Sequence, residues 1–140
     1  MRATLVPGLK NRISYVVAED RTVPHLFPEA ALLLDMPNVF ATAYMVGLFE
    51  WVCTALAAEH LDEGEGSVGT HVDFSHVAAT LPGMTVTAEC ELIEVSGRKL
   101  RFRVEGHDGV EPIGGGFHER HVIRRAAFDA RVAQKLGAAA

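Results

Sequence analysis

The sequence has little cysteine, no basic tract and, over one long stretch, almost no charge. Its only two cysteines, Cys53 and Cys90, among 140 residues exclude a framework of several disulfides. Each lies in an apolar or alternating segment and reads as a small core residue in a reducing compartment. Thirteen Lys and Arg against eighteen Asp and Glu leave a net charge of −5, and the cations are not gathered in one run. Nucleic acid and an anionic membrane surface are therefore excluded as main partners. The opening "MRATLVPGLKNR" has no apolar core of a signal peptide, so a cytoplasmic protein is expected. With 49% hydrophobic and 22% charged residues the composition is that of one globular domain over 1–140. A chain of this length buries roughly two-thirds of its unfolded surface and needs no metal or disulfide staple.

What the chain does have is a run, "FATAYMVGLFEWVCTALAA", in which Glu50 is the one charged residue. Burying an ionised carboxyl without a partner costs several kcal/mol, so this glutamate must be paired, neutralised or useful. Val39 to Ala58 is long enough to cross a bilayer, but a central Glu, abundant Ala and Thr and the lack of flanking cations argue against a span. A soluble helix fits better, apolar all round because other elements wrap it on every side.

Downstream of Gly66 the periodicity changes from helical to alternating. Val86, Ala88, Cys90 and Leu92 alternate with Thr85, Thr87, Glu89 and Glu91, which predicts a half-buried strand. The phase slips at Leu92-Ile93, the mark of a bulge or bend. "SGRK" predicts a turn, after which Leu100, Phe102 and Val104 alternate with Arg101, Arg103 and Glu105 to complete a hairpin. "GHDGVEP" predicts another turn, and Ile113 to Arg125 a further strand. Residues 67–80 predict a strand ending at Leu81-Pro82-Gly83, Ile13 to Val17 a short one, and Ala126 to Leu136 a surface helix.

Between the first strand and the long helix, "TVPHLFPEAALLLDMPNVF" predicts a short helix opened by Pro28 and stopped by Pro37. Its leucines and Met36 make it apolar on too many sides for a simple surface element, so it is expected to cover a pocket or an interface. The order is strand, short helix, long helix, then four antiparallel strands. This is an α+β chain in the hotdog arrangement, one long helix wrapped by a curved antiparallel sheet, and a homodimer is expected to cover its free edge and apolar surface.

The segments "TVPHLFPE", "PNVFATAYMVGLFEW", "GEGSVGT", "HVAATLPGMTVT", "GHDGV" and "IGGGFHERHVI" carry a specific resemblance. In order and spacing, from about residue 20 to 135, the chain resembles the fluoroacetyl-CoA thioesterase family of hotdog proteins. The resemblance implies hydrolysis of an acyl-CoA, with Thr42, Glu50 and His76 as the catalytic set. It also implies a backbone amide from Gly69, Arg120 near the site, and a lid that includes Met36, Val39 and Phe40. Where this chain has Met36 the family enzyme carries a phenylalanine, a stiffer side chain than methionine. No cofactor or metal is implied.

The chemistry stands without the resemblance. Thioester hydrolysis needs an attacking oxygen, a group to manage protons and donors for the developing oxyanion. Glu50 can serve as base or nucleophile, His76 titrates near neutrality, Thr42 offers a hydroxyl, and Gly69 lets a backbone N–H come close. Thr42 and Glu50 lie eight residues apart, about 12 Å of rise on a regular helix. Either Thr42 stands at the helix cap, or the working site combines residues from two subunits.

Rival readings rest on fewer residues. His25 in "HLFPE", with Glu50 on the following helix, faintly resembles hotdog acyl-carrier dehydratases, without their surrounding proline-glycine pattern. A non-catalytic acyl-CoA binder would have no use for the full set of Thr42, Glu50 and His76. His118 and His121, with Glu119 between them, invite a metal, but positions i and i+3 face opposite sides of a strand. His71 and Asp73 share a face, and two ligands make no convincing site. Gly114, Gly115 and Gly116 follow no phosphate-loop spacing and are expected to permit a twist or the close approach of a ligand.

Overall fold

The computed structural model describes residues 1–139. Strand β1 (Lys10–Val16) leads through two single helical turns, at Glu19–Arg21 and Val23–His25, to the short helix α1 (Ala31–Leu34). The long helix α2 (Thr42–Ala58) follows, then β2 (Glu65–His76), β3 (Thr85–Ser96), β4 (Lys99–His107), β5 (Pro112–Arg124) and a terminal helix α3 (Arg125–Ala139). The strands form one antiparallel sheet in the order β1-β3-β4-β5-β2, so β1 and β2 are its two edges.

Alternation in the sequence becomes one buried face. Val86, Ala88, Cys90 and Leu92 of β3 lie beside Leu100, Phe102 and Val104 of β4, all buried, while the glutamates between them face out. The pairing shifts between Leu92 and Glu94, where the phase of the sequence slips, and such a bulge increases local bend and twist. Against the concave face lies α2, which buries Met45, Leu48, Phe49, Val52, Cys53, Leu56 and Ala57. This is the hotdog arrangement expected from the sequence.

The helix is not wrapped on every side. Ala43, Gly47, Trp51 and Ala58 form an open stripe, with Trp51 55% exposed. A single sheet covers only the part of a helix that rests on it, and the outward stripe is built largely of small residues. At 100° per residue Glu50 falls on the boundary between the two faces, toward β2. The carboxylate that looked buried by sequence is therefore at the rim of the core.

The short helix is shorter than its prolines suggest. Pro28 lies in a turn ahead of it, and α1 has only four residues, with no side-chain cap at Ala30. So short a helix is not stable alone and is held by its ends. The N–H of Val23 donates to Val39 O at 3.0 Å, and that of Ala41 to Arg21 O at 3.1 Å. Leu32, Leu34 and Met36 remain exposed, whereas Phe40 is buried and packs on Tyr15 with ring centroids 6.0 Å apart.

Strand β2 ends at His76 rather than near Thr80, because the next residues are drawn out of the sheet toward the start of α2. The N–H of Val77 donates to Ile113 O at 2.7 Å, and Thr80 O accepts the N–H of Phe40 at 2.8 Å. Buried Asp108 anchors the far side by accepting from the Thr80 hydroxyl at 3.0 Å and from the N–H groups of Val110 and Glu111. The glycines of β5 do permit a close approach, but by neighbouring strands. A Cβ at Gly114 or Gly116 would collide with the carbonyl oxygens of Ser75 or Asp73 on β2, and Gly116 has a φ of +150°.

Gly116→Ala is therefore expected to strain the β2–β5 ladder and lower stability by about 2–3 kcal/mol. Urea unfolding followed by circular dichroism measures this. A midpoint equal to that of the unchanged protein would show that the ladder can accept a side chain there.

Candidate active site

Glu50 is paired. Its Oε1 lies 3.3 Å from Nη1 of Arg120, and its side chain is 40% exposed. Oε2 makes no hydrogen bond among the described residues. Arg120 reaches Glu50 from β5, where it is cross-strand partner to Gly69 of β2. Its side chain is only 7% exposed, and each guanidinium nitrogen has an acceptor. Nε donates to Ser67 Oγ at 2.9 Å, Nη2 donates to Ser67 O at 2.9 Å, and Nη1 is shared between Glu50 and His118 Nε2. Burial presses the guanidinium pKa down and the charge of Glu50 pushes it back, while arginine stays protonated regardless.

Gly69 is the floor under this carboxylate. A Cβ there would stand 2.5 Å from Glu50 Oε1 and 3.3 Å from Arg120 Nη1. The β2–β5 register shifts between Gly69 and His71, so this glycine sits at a bulge and also makes room for the acid. Any side chain at position 69 would displace the Glu50 carboxylate.

The sequence reading missed His118 as a site residue, having weighed it only as a metal ligand. The strand turns His118 inward to full burial and His121 outward. Its ring lies between those of Phe74 and Phe102, at centroid distances of 6.0 and 6.5 Å. Nδ1 is 2.7 Å from the carbonyl oxygen of His71. A carbonyl can only accept, so Nδ1 carries the proton and Nε2 presents its lone pair to Arg120 at 3.1 Å. Burial pushes the His118 pKa down and the Arg120 charge adds to this, opposed by the His71 carbonyl and by Glu50. The signal was present in the sequence, since His118 is two residues from Arg120 and so shares its face of the strand.

Thr42 and His76 form a separate cluster at the N-terminal end of α2. The Thr42 hydroxyl lies 2.8 Å from His76 Nδ1. Thr42 is not the cap: Ala41 holds that position without a side-chain bond, and Thr42 is the first helical residue with its hydroxyl turned to His76. Burial pushes the His76 pKa below its ordinary value and so favours the neutral ring, against a weaker raising effect of the Ala78 backbone. Its Nε2 is buried without a hydrogen-bond partner among the described residues.

Two half-sites result. Helix α2 is regular from Thr42 to Ala58, so Thr42 and Glu50 are separated by about 12 Å along its axis. The fold brings Glu50, Gly69 and Arg120 together, and Thr42 with His76, but does not join the two groups within one chain. Met36, half exposed, and partly buried Val39 belong to the lid segment near the Thr42 end, while Phe40 is part of the core. His25 closes the turn Val23–His25 and makes no hydrogen bond or ion pair with Glu50 among the described residues. Nor do any three His, Cys, Asp or Glu among those residues cluster closely enough to hold a metal. No described helix is long and apolar enough to cross a membrane.

The sequence and fold match known proteins. Residues 17–126 fit the family model described as fluoroacetyl-CoA-specific thioesterase. The chain is 51% identical over 124 residues to the fluoroacetyl-CoA thioesterase of Streptantibioticus cattleyicolor, a match covering 89% of each chain. It superposes with a TM-score of 0.91 on a mutant of the fluoroacetyl-CoA thioesterase in complex with fluoroacetate, at 47% identity over 94% of this chain and 98% of that one. A further mutant structure, in complex with acetyl-CoA, superposes at 0.92 with 47% identity, again covering 94% and 98%. The chain belongs to the fluoroacetyl-CoA-specific thioesterase family.

Proposed function

We propose that this protein hydrolyses a short acyl-CoA thioester, fluoroacetyl-CoA foremost, to the free acid and coenzyme A. The observation that carries the reading is the half-exposed Glu50 carboxylate, pinned through one oxygen by Arg120 above Gly69 and free at the other. The relative from Streptantibioticus cattleyicolor is a fluoroacetyl-CoA thioesterase, and two similar solved structures are fluoroacetyl-CoA thioesterase mutants in complex with acetyl-CoA or fluoroacetate.

Hydrolysis adds water across the carbon–sulfur bond. An oxygen attacks the carbonyl carbon, the carbonyl oxygen becomes an oxyanion, and collapse expels the coenzyme A thiolate, which then takes a proton. Glu50 can accept the proton of an attacking water, or attack the carbon itself to give a mixed anhydride that water then hydrolyses to the free acid, and in both courses the free Oε2 is the reacting atom. The Arg120 charge and the backbone N–H of Gly69 supply positive potential where the oxyanion forms. A neutral His76 can accept a hydrogen bond from the Thr42 hydroxyl through Nδ1 and so orient that hydroxyl toward the thioester, or take its proton if Thr42 attacks to give an acyl ester that water then hydrolyses. The vacant hydrogen-bonding capacity of His76 Nε2 is then available to substrate.

The two half-sites meet in a homodimer. Strand β2 is an edge whose exposed stretch includes Val72, and two such edges pair antiparallel about a two-fold axis beside Val72 and Asp73. This symmetry carries His76, at one end of β2, toward Gly69 of the other copy, so that each Thr42–His76 pair faces the opposite protomer's Glu50. The whole chain acts as one hotdog domain in this assembly, and its two free buried cysteines suit a reducing cytoplasm.

Selectivity is assigned to the lid. A two-carbon acyl group offers little to grip, since one methylene in an apolar pocket separates substrates by only about 1–3 kcal/mol. Fluorine acts instead by making the carbonyl more electrophilic and the adjoining C–H more acidic, differences that a dry, close-fitting cover amplifies. Met36 is a looser cover than the phenylalanine it replaces.

Three outcomes test this reading. Glu50→Gln and His76→Ala are each expected to lower kcat/KM by about 10²-fold or more with the circular dichroism spectrum retained. Near-normal hydrolysis by both variants would remove these residues from the mechanism, and binding without turnover by the unaltered protein would favour a non-catalytic acyl-CoA binder. Light scattering at micromolar concentration should give twice the chain mass of 15.1 kDa, and a monomer would contradict the composite site. Met36→Phe should raise the ratio of fluoroacetyl-CoA to acetyl-CoA kcat/KM. An unchanged ratio, with both substrates turned over normally, would place selectivity elsewhere.

A further inference from the structure

We propose that His118 is a positioning residue for the reaction: as a neutral ring protonated at Nδ1, it holds the Arg120 guanidinium so that Glu50 is gripped through one oxygen only. This inference deepens the reading of Glu50 as the reacting carboxylate and rests on it.

The geometry allows Arg120 few alternatives. A guanidinium this deeply buried needs an acceptor for each N–H it turns inward. Ser67 accepts from Nε through its hydroxyl and from Nη2 through its carbonyl oxygen. Nη1 has two protons, and the two acceptors within reach are Glu50 Oε1 at 3.3 Å and His118 Nε2 at 3.1 Å. Nε and Nη2 make their bonds to Ser67 and the second Nη1 proton goes to the imidazole, so Glu50 is met by Nη1 alone and the pair is one-pronged. Arginine and carboxylate otherwise favour a two-pronged fork, which would occupy both oxygens of Glu50. His118 Nε2 also stands 3.9 Å from Glu50 Oε1, so a proton on that nitrogen would bring it into competition for the same oxygen.

The ring cannot readily exchange this role for another. Its Nδ1 proton is held by the His71 carbonyl on β2, and the rings of Phe74 on β2 and Phe102 on β4 lie on either side. The charged or titratable groups that face it are Glu50 from α2, Arg120 from its own strand and His71 from β2. The same surroundings that depress its pKa keep Nε2 an acceptor at neutral pH. His118 contacts no reacting atom; it acts through Arg120.

Two measurements test the proposal, and the first does not depend on activity. In ¹⁵N-labelled protein at pH 7, long-range ¹H–¹⁵N spectra should show the His118 ring neutral with its proton on Nδ1. A ring protonated on Nε2, or on both nitrogens, would overturn the proposal whatever the enzyme hydrolyses. The second compares His118→Phe, which keeps a ring but offers no acceptor, with His118→Gln, whose amide oxygen can take the place of Nε2. Their folded fractions are matched by thermal melting. His118→Phe should lower kcat by about 10-fold or more with KM for acetyl-CoA little changed, and His118→Gln should recover much of the loss. Equal kcat in the two variants, or a His118→Phe enzyme within about 3-fold of the unaltered one, would reduce His118 to core packing. If no acyl-CoA is hydrolysed by the unaltered protein, the functional reading fails while the ring spectra still decide the role of His118.

Discussion

Everything around the candidate site follows from the need to give each nitrogen of one buried guanidinium a hydrogen-bond acceptor. Arg120 lies inside the sheet's concave face, where an unpaired N–H costs on the order of 1–3 kcal/mol or more. Ser67 and His118 are placed on β2 and β5 to meet that demand, and Glu50 completes it from the helix. The arrangement in turn fixes where α2 sits along the sheet, because a shift of one turn would part the carboxylate from its partner. Gly69 is part of the same requirement, since only the absence of a side chain lets the acid descend to the guanidinium. An ion pair with one partner buried and the other half exposed is poor evidence of added stability, and here its value is geometric.

Much of this was legible in the sequence where the signal is local. The alternation of Val86 to Leu92 and of Leu100 to Val104, the turn at Ser96–Lys99 and the phase slip at Leu92-Ile93 all report on neighbouring residues, and all appear in the fold. What failed depends on distance and coverage. Periodicity cannot say how far a sheet extends round a helix, so the open stripe of Ala43, Gly47 and Trp51 was not foreseen. Nor can it say what approaches a glycine: at Gly114 and Gly116 it is the β2 backbone rather than a ligand. His118 was passed over because it was weighed against His121, three positions on, and not against Arg120, two positions on and on the same face.

The candidate catalytic residues show the same division. Thr42, Glu50 and His76 could be named from the residues and the resemblance, and spacing alone warned that Thr42 and Glu50 stand too far apart to touch. The structure gives that warning a form in which Thr42 and His76 are joined at one end of α2 and Glu50 and Arg120 at its middle. The edge strand β2 runs past both groups, with Gly69 under one and His76 in the other. A strand that supplies residues to both halves, and leaves one edge unpaired, couples assembly to chemistry in the proposed dimer.

The separation of the two clusters along α2 has a genetic consequence. In the proposed assembly each centre takes its acid from one polypeptide and its hydroxyl and imidazole from the other. A chain damaged at Glu50 and a chain damaged at Thr42 are both inert when each pairs with its own kind. When they pair with each other, one centre receives both defects and the other receives none. Two null alleles would then complement within a single cell, at up to half the activity of an intact dimer, although neither encodes a working protein.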